Sequence, residues 1–215
     1  MKGLKTRSAI LDHAADLASV EGLEGLTIGR LADELQMSKS GLFAHFGSKE
    51  ELQLATIEIA RERFMTEVFK PALGTERGYP RLVAICRGWL DYIQRNVFSG
   101  GCFFAAASFE FDGRTGPVRD AIKKTMDEWI GAIEKAVRLA VDEGHFGPDV
   151  DPAQIAFEIN AIFFGANYAY NMRHDKRAIT RAWNAIETRL EGLRQSPRPA
   201  RFAHPEKRVA RRRAS

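Results

Sequence analysis

The sequence of 215 residues lacks the marks of several protein classes. It holds two cysteines, Cys86 and Cys102, which are too few for the disulfide framework of a small secreted domain. No apolar run approaches the roughly 20 residues that a membrane-spanning helix requires. The first residues show no apolar core of the kind that marks a secretory signal. We therefore expect a cytoplasmic protein that does not enter a membrane.

Motifs that carry enzyme chemistry are also missing. The five histidines are scattered, and none stands in an HExxH pattern or in a Cys/His cluster with metal-ligand spacing. The sequence has no Gly-rich phosphate loop and no Gly-x-Ser-x-Gly nucleophile turn. These absences argue against an enzyme, and we expect neither a metal nor a cofactor.

Apolar residues recur at helical spacing through most of the chain, and no segment of appreciable length alternates with a period of two. The sequence therefore predicts an all-α protein of about nine helices. We divide it into a three-helix head at 1–48, a helical domain at 49–195 and a tail at 196–215. Beyond the head, the predicted helical segments are Lys49 to about Lys70, Arg81–Val97, Cys102–Phe111, Val118–Glu143, Ile155–Met172 and Asp175–Arg194.

The net charge of +4 is unevenly distributed. From Ser196 onward there are seven basic residues and one acidic residue, so the tail carries +6 and the other 195 residues carry about −2. With three prolines and few apolar residues, the tail should be disordered. It either adds non-specific phosphate affinity or is a solvated extension. Because the basic excess belongs to the tail, net charge gives no support to nucleic-acid binding by the head.

The stretch Thr27–Leu52 holds three helix-start signals close together. Thr27 suits the N-cap of a first short helix, whose apolar stripe is Ile28, Leu31, Ala32 and Leu35. Ser38 follows a break and begins a second short helix, and Ser48 opens an S-x-x-E capping box. Two helices of about two turns joined by a tight connection form a helix-turn-helix, whose second helix enters the major groove of DNA. The stretch therefore predicts a DNA-reading head.

The order and spacing of residues in this head resemble the TetR/AcrR family of one-component transcriptional repressors. The resemblance covers about a quarter of the chain and is carried by Thr6–Leu11, Gly22, Leu26–Ile28, Leu31–Ala32, Ser38–Phe46 and Lys49–Leu52. It implies a homodimeric repressor that a small-molecule effector releases from its operator. One departure is Phe43, where the family usually has tyrosine. A phosphate hydrogen bond from that hydroxyl is therefore absent, although the ring can still pack against the DNA backbone.

The docking of such a head indicates which residues contact double-stranded DNA. Ser38, Lys39 and Ser40 stand at the start of the second short helix, where Lys39 would reach a guanine or a phosphate. Thr27 and Lys49 lie at the starts of the flanking helices, where free N–H groups and the helix dipole favour phosphate. The other predicted contacts are Phe43, Arg30, His45, Lys5 and Arg7.

The resemblance also implies an effector pocket in the C-terminal helices. The candidates are Phe64, Trp89, Tyr92, Ile93, Cys102, Phe103, Met126, Trp129, Phe164 and Tyr168. Bulky aromatic residues with a few polar tips suit a small apolar or aromatic molecule. The same pattern also fits an ordinary helical core, which is the commoner role for aromatic residues at this spacing. Asn160 and Asn167 are of interest because a buried polar group requires a partner.

The segment Ile155–Met172 is apolar on nearly every face, so one side should pack inside and another should meet a second chain. Together with Asp175–Arg194 it predicts a four-helix dimer interface. The residues expected there are Ile162, Phe163, Ala166, Trp183, Ile186 and Leu190. A two-fold dimer requires a pseudo-palindromic operator.

Cys102 supports an alternative function. It follows two glycines at a predicted helix start, where the helix dipole would lower its pKa and make it a thiol sensor of oxidants or electrophiles. The competing interpretation is a small buried core residue. A third possibility is a DNA-binding module controlled only by a partner protein, since no pocket residue is diagnostic by itself.

Overall fold

The structure, a computed structural model, describes residues 2–194, with side chains from Arg7 onward. Within that range all regular elements are helical, apart from one isolated β-bridge between Phe146 and Arg194. The all-α prediction is therefore confirmed, whereas the predicted tail at 196–215 lies outside the described residues. The helices are α1 (Lys2–Glu21), α2 (Ile28–Leu35), α3 (Lys39–Phe46), α4 (Lys49–Phe64), α5 (Lys70–Leu73), α6 (Tyr79–Gln94), α7 (Phe103–Phe111), α8 (Pro117–Asp142), α9 (Pro152–Asn167) and α10 (Ala178–Glu191).

Helices α4 and α5 form one continuous rod, because a π-helical turn at Met65–Phe69 joins them without a break. Pro71 lies near the end of this rod and has no backbone N–H, so one helical hydrogen bond is missing there. Counted in this way, residues 2–194 form nine helical rods, as the apolar periodicity predicts. No helix in this range is both long and apolar enough to cross a membrane.

The three predicted N-caps of the head are confirmed. The side-chain oxygens of Thr27, Ser38 and Ser48 each accept a hydrogen bond from the backbone N–H three residues further on, at 3.0–3.1 Å. Each such cap stabilises its helix by about 1 kcal/mol. Between α2 and α3 the chain turns at Gln36, whose φ of 52° lies in the left-handed region. These side-chain caps determine where α2, α3 and α4 begin.

The head is joined to the rest of the protein by one continuous core. Helix α1 packs along α4, and α4 in turn packs against α8. Arg63 of α4 ties these parts together, since its guanidinium pairs with Asp12 and Asp16 of α1 at 2.9 and 3.0 Å. It also lies 4.5 Å from the centre of the Phe98 ring. The head is therefore held in a defined orientation on the C-terminal helices.

An aromatic cluster fills the centre of the C-terminal helices. The ring of Phe64, at the end of α4, meets Trp129, Tyr92 and Phe104 edge-on, with centroids 5.2, 5.4 and 6.1 Å away. Edge-to-face pairs of this kind contribute about 0.5–1.5 kcal/mol each beyond the area that they bury. The cluster thus brings α4, α6, α7 and α8 to one point inside the protein.

The predicted dimer residues need correction. Phe163, Ala166, Ile186 and Leu190 are buried within the protomer, where their own chain already covers almost all of their surface. Phe163, for example, stacks on the ring of Trp89 with centroids 4.2 Å apart. For Phe163 and Ala166 the error arises because α9 is apolar on nearly every face, so its sequence does not reveal which face points inward. Ile186 and Leu190 lie on the apolar face of α10, and that face packs inward.

Ile162 and Trp183, the other two predicted dimer residues, are half-buried. The Trp183 ring faces α6, where the guanidinium of Arg87 lies 4.1 Å from its centre. The face of α9 that does lie open carries other residues, Phe157, Ala161 and Gly165.

Candidate nucleic-acid interface and internal cavity

Helix α3 presents one face inward and one outward. Leu42 and Phe46 are buried in the head, whereas Lys39, Ser40 and Phe43 are exposed on the opposite side. The Phe43 side chain is 56% exposed, which is unusual for a large apolar residue and rules out the interpretation that it is only core. The predicted recognition residues of α3 therefore share one accessible surface.

The predicted cations of the head differ in how much of their charge is available. Lys39 makes no ion pair with any residue in the described range. Arg30, by contrast, pairs with Glu21 at 2.5 Å and with Glu34 at 2.8 Å. A phosphate would have to compete with two carboxylates for Arg30, so we expect Lys39 to contribute more to binding.

Lys49 is also paired. Its ammonium donates to Glu24 at 2.7 Å, and Arg114 approaches the other oxygen of the same carboxylate at 3.0 Å. The hydrogen bond from Lys49 lowers the pKa of the Glu24 carboxyl, with a smaller contribution from Arg114. Because both partners are about 40% exposed, the pair is weak and a phosphate could replace Glu24.

The remaining predicted contacts flank α3. Arg7 lies over the Phe46 ring, 5.2 Å from its centre, which holds the first turns of α1 close to α3. His45 is half-buried and its ring is tilted against the same phenylalanine. The side chain of Lys5 lies outside the described residues.

The hydroxyl groups that cap the helices can also contact DNA. Thr27 and Ser38 use their oxygens as acceptors for backbone N–H groups, which leaves each hydroxyl hydrogen free to donate. Ser40 donates only a long bond of 3.4 Å to Ser38. The sites therefore combine a helix N-terminus with a spare O–H donor, an arrangement that suits a phosphate oxygen.

Attraction of DNA to this surface cannot come from the charge of the head as a whole. Residues 1–52 contain six basic and eight acidic side chains, so their formal charge is negative. Five of the acids are engaged away from α3, by Arg30, Arg63 and Lys49. Local geometry around Lys39 thus matters more than net charge.

Two exposed residues of this surface were missed by the sequence reasoning. Ala44 follows Ser40 by one turn and shares the outward face of α3, where a methyl group suits contact with a thymine methyl. Gln36 is exposed in the turn that precedes α3. Helical spacing alone would have identified Ala44, whereas the left-handed conformation of Gln36 has no sequence signal.

An internal cavity lies beside the aromatic cluster, between α4, α6, α7, α8 and α9. Its volume is about 20 Å³, enough for about one water molecule. Six of the ten predicted pocket residues line it: Phe64, Trp89, Cys102, Met126, Trp129 and Phe164. An organic molecule would have to displace side chains of this wall, since ligand pockets usually measure about 300–1,000 Å³.

Four predicted pocket residues lie elsewhere. Tyr92, Ile93 and Phe103 are buried in the surrounding core, and Tyr168 is exposed at the end of α9. The wall is completed by Asn160, already of interest as a buried polar group, and by four residues that the sequence did not indicate for the pocket: Phe104, Ala105, Thr125 and Phe163. One residue along a helix turns the side chain by about 100°, so Phe103 and Phe104 face different directions.

The cavity has few polar groups, and no charged side chain lines it. The Asn160 carbonyl oxygen accepts a hydrogen bond from the Trp129 indole at 3.1 Å. The Thr125 hydroxyl donates to a carbonyl of its own helix. Outside the wall, in the surrounding core, the Tyr92 hydroxyl is buried beside the Cys102 thiol, without hydrogen-bond geometry to any described group. Such a wall suits an apolar or aromatic molecular surface.

The pKa of the Cys102 thiol is raised, whereas the sequence predicted a lowered pKa. Burial raises its pKa to about 11, although the backbone N–H groups of Phe104 and Ala105 at the start of α7 act to lower it. Desolvation thus outweighs the helix dipole, and the thiol stays protonated near neutral pH. The expectation of a lowered pKa is wrong, and with it the alternative of a thiol sensor loses its support.

Helix α7 connects the cavity to the head. Its first turn contributes Phe104 and Ala105 to the cavity wall. Near its other end, the Glu110 carboxylate accepts hydrogen bonds from the backbone N–H groups of Leu23 and Glu24, at 2.8 and 2.9 Å. Leu23 and Glu24 belong to the connection between α1 and α2. About one and a half helical turns therefore separate the cavity wall from the carboxylate that holds the head.

Comparisons with known proteins agree with this arrangement. Residues 10–56 match the family model described as bacterial regulatory proteins, tetR family, and residues 78–186 match the tetracyclin repressor-like C-terminal domain. The chain is similar to the HTH-type transcriptional repressor AcnR of Corynebacterium glutamicum, with 32% identity over 158 residues. That alignment covers 69% of this chain and 73% of AcnR.

Two further similarities extend the comparison. The HTH-type transcriptional regulator SrpR of Pseudomonas putida is 22% identical over 147 residues, which are 68% of this chain and 66% of SrpR. A crystal structure of a TetR transcriptional regulator from Chloroflexus aurantiacus J-10-FL superposes with a TM-score of 0.81 at 26% identity. It covers 91% of this chain and 99% of the other.

Proposed function

Because this chain belongs to the TetR family of bacterial transcriptional regulators, we propose a function for each of its sites. It binds a pseudo-palindromic operator as a homodimer, represses transcription, and leaves the DNA when a small apolar or aromatic effector binds. Repression is supported by the similarity to AcnR, which is described as a repressor. Since its target is DNA, we place its action in the cytoplasm.

The observation that carries the DNA-binding proposal is the outward face of α3. Lys39, Ser40 and Phe43 lie together and exposed, with Lys39 free of ion pairs among the described residues. In a helix-turn-helix the start of the second helix enters the major groove, which places Lys39 next to base edges or a phosphate. Phe43 then contacts a thymine methyl or the sugar backbone, since it lacks a hydroxyl for phosphate.

The dimer proposal rests on the open face of α9. Five exposed residues follow one another at intervals of three or four: Phe157, Ala161 and Gly165 on α9, then Tyr168 and Met172 on the π-helical turn that continues it. Such a stripe is a surface that monomeric proteins seldom leave exposed. The small side chains at 161 and 165 would let two copies of α9 approach closely, with the larger apolar side chains packing at either end. A two-fold axis through this stripe pairs the two heads on one side of DNA.

The effector proposal rests on the cavity. Its wall is aromatic and uncharged, and its polar groups are mostly paired within the protein, so the buried part of an effector must be apolar. Helix α7 carries the effect to the head, because it contributes to the cavity wall and holds the α1–α2 connection through Glu110.

The experiment begins with genomic DNA fragments captured by the purified protein, which provide the operator. Binding of that operator is then measured by fluorescence anisotropy for the wild type, Lys39→Ala and the control Lys124→Ala, whose lysine is exposed on α8. We expect Lys39→Ala to weaken binding by about 10–100-fold, the range for a lost base or phosphate contact, and Lys124→Ala to have no effect.

Light scattering on the same samples reports the oligomeric state. Both variants should remain dimers, so that lost affinity reflects the DNA surface alone. Unchanged operator affinity in Lys39→Ala would remove α3 as the recognition helix. A monomeric wild type at micromolar concentration would disprove the dimer through α9.

A further inference from the structure

A second, open cleft lies on the protein surface between α7 and α8. Its volume is about 200 Å³, ten times that of the internal cavity measured in the same way. Ser108 and Asp112 of α7 and Arg119, Lys123 and Met126 of α8 line it, together with two apolar side chains. Nothing in the DNA-binding or dimerisation proposals uses this cleft.

The cleft and the internal cavity are adjacent along one seam. The start of α7 and the middle of α8 line the cavity, whereas the end of α7 and the start of α8 line the cleft. Met126 belongs to both walls. Methionine is unbranched and has several rotatable bonds, so its side chain can move aside at low energetic cost. A rotation of Met126 would join the two spaces into one channel.

The polar groups of the cleft favour an anion. Arg119 and Lys123 are one turn apart on α8, and Asp112 is the one acidic side chain among the residues that line the cleft. Their neighbours Asp120 and Asp127 pair with them on the outside. All four side chains are at least 38% exposed, so these pairs are weak and leave both cations able to turn inward.

Two further features of the cleft also favour an anion. The Ser108 hydroxyl is buried and has no hydrogen-bond partner among the described residues. Helix α8 begins at Pro117 without a side-chain cap, so the positive end of its dipole lies close to Arg119. A buried hydroxyl without a partner is unusual, and an oxygen of a bound anion would supply one.

We propose that the effector is an amphipathic anion that occupies both spaces. This rests on the proposed effector function of the cavity and adds the chemical class of the ligand. The apolar or aromatic body displaces Met126 and lies against Trp129, while the anionic head group stays in the cleft and binds Arg119 and Lys123. Arg119 precedes Trp129 by ten residues, so the effector spans about 15 Å at 1.5 Å per residue.

The test uses two probes with the same apolar body, 6-phenylhexanoate and 6-phenylhexan-1-ol. Their dissociation constants are measured by calorimetry on the full-length protein. The carboxylate should bind the wild type about tenfold more tightly than the alcohol, the difference expected for charge-assisted hydrogen bonds in an exposed cleft. The double variant Arg119→Ala/Lys123→Ala should lose this preference and bind the alcohol as before.

The matched control is Lys124→Ala/Lys135→Ala, which removes the same charge from exposed positions of α8 outside the cleft. It should retain the preference for the carboxylate. If this control also lost the preference, the preference would come from the total positive charge of α8, and the proposed site would be overturned.

Other outcomes separate this inference from the proposed function. If the wild type bound both probes equally, the anionic head group would be disproved while the apolar cavity kept its role. If neither probe bound although operator binding depended on Lys39, effector binding in this cavity would be disproved and the DNA-binding function would stand.

Discussion

The hydrogen bonds of Glu110 allow a quantitative test of how α7 holds the head. Its carboxylate accepts two backbone N–H groups, from Leu23 at 2.8 Å and from Glu24 at 2.9 Å. Hydrogen bonds to a charged group contribute about 1.5–3 kcal/mol each. Both bonds are only partly buried, so water replaces some of the loss, and Glu110→Ala should destabilise the protein by about 2–4 kcal/mol.

The assay is thermal unfolding followed by circular dichroism. For a chain of this size, 1 kcal/mol corresponds to about 2–4 °C, so the expected fall in Tm is about 4–16 °C. Glu110→Gln retains one acceptor oxygen and should lose less. Operator affinity should fall with both variants, because the α1–α2 connection positions the helix-turn-helix.

The control is Glu62→Ala, which removes an exposed carboxylate of α4 with no ion pair among the described residues. Its Tm should stay within about 1–2 °C of the wild type, as for most surface substitutions. If Glu110→Ala were as stable as this control, water would replace the two hydrogen bonds at no cost in the free energy of unfolding. The argument that α7 holds the head through Glu110 would then be disproved.

Two further predictions concern packing and thiol chemistry. A Cβ at Gly100 would lie 1.8 Å from the Ser19 carbonyl oxygen, so Gly100→Ala should cost at least about 2–3 kcal/mol. A Cβ at Gly131 would have no atom within 4 Å, so Gly131→Ala should stabilise α8 by about 0.5–1 kcal/mol. Urea unfolding measures the change in the free energy of unfolding for both variants, and two changes of the same sign would contradict these predictions. Burial raises the pKa of Cys102 to about 11 and that of Cys86 to about 12, so at pH 8 only about one Cys102 thiol in a thousand is ionised. Ellman's reagent should therefore label native protein slowly at pH 8 and faster towards pH 11, and complete labelling within seconds at pH 8 would disprove the burial argument.

The parts of the fold that local rules determine could be predicted from the sequence. Thr27, Ser38 and Ser48 were identifiable as N-caps because the signal involves only residues within one turn. The capping box at Ser48 is only half formed, since its backbone N–H donates to Phe46 and not to Glu51. Even there, the helix begins at the predicted residue.

The parts that depend on which helix face points inward could not be predicted. Helix α9 is apolar on nearly every side, so Phe163 and Phe157 look equivalent in the sequence, yet one is buried and the other exposed. The thiol of Cys102 gives a second case. Its position at a helix start was visible, but its burial depends on α9 and α6, and burial decides its pKa.

Both ends of α7 are fixed to the end of α1, and this constrains how an effector could act. Before α7, the backbone N–H of Gly100 donates to the Ser19 hydroxyl at 3.0 Å. Near its other end, Glu110 holds Leu23 and Glu24. A displacement of α7 by a ligand at Phe104 would therefore act on the end of α1, which leads into the helix-turn-helix.

How strongly an effector releases DNA depends on how much more tightly it binds one position of α7 than the other. An effector that bound equally well to both would release no DNA, however tightly it bound. The cavity of about 20 Å³ supplies such a difference, because an organic molecule fits only after the wall has moved. A substitution that enlarges the cavity without moving α7, such as Met126→Ala, should therefore tighten effector binding and at the same time weaken its power to release the operator.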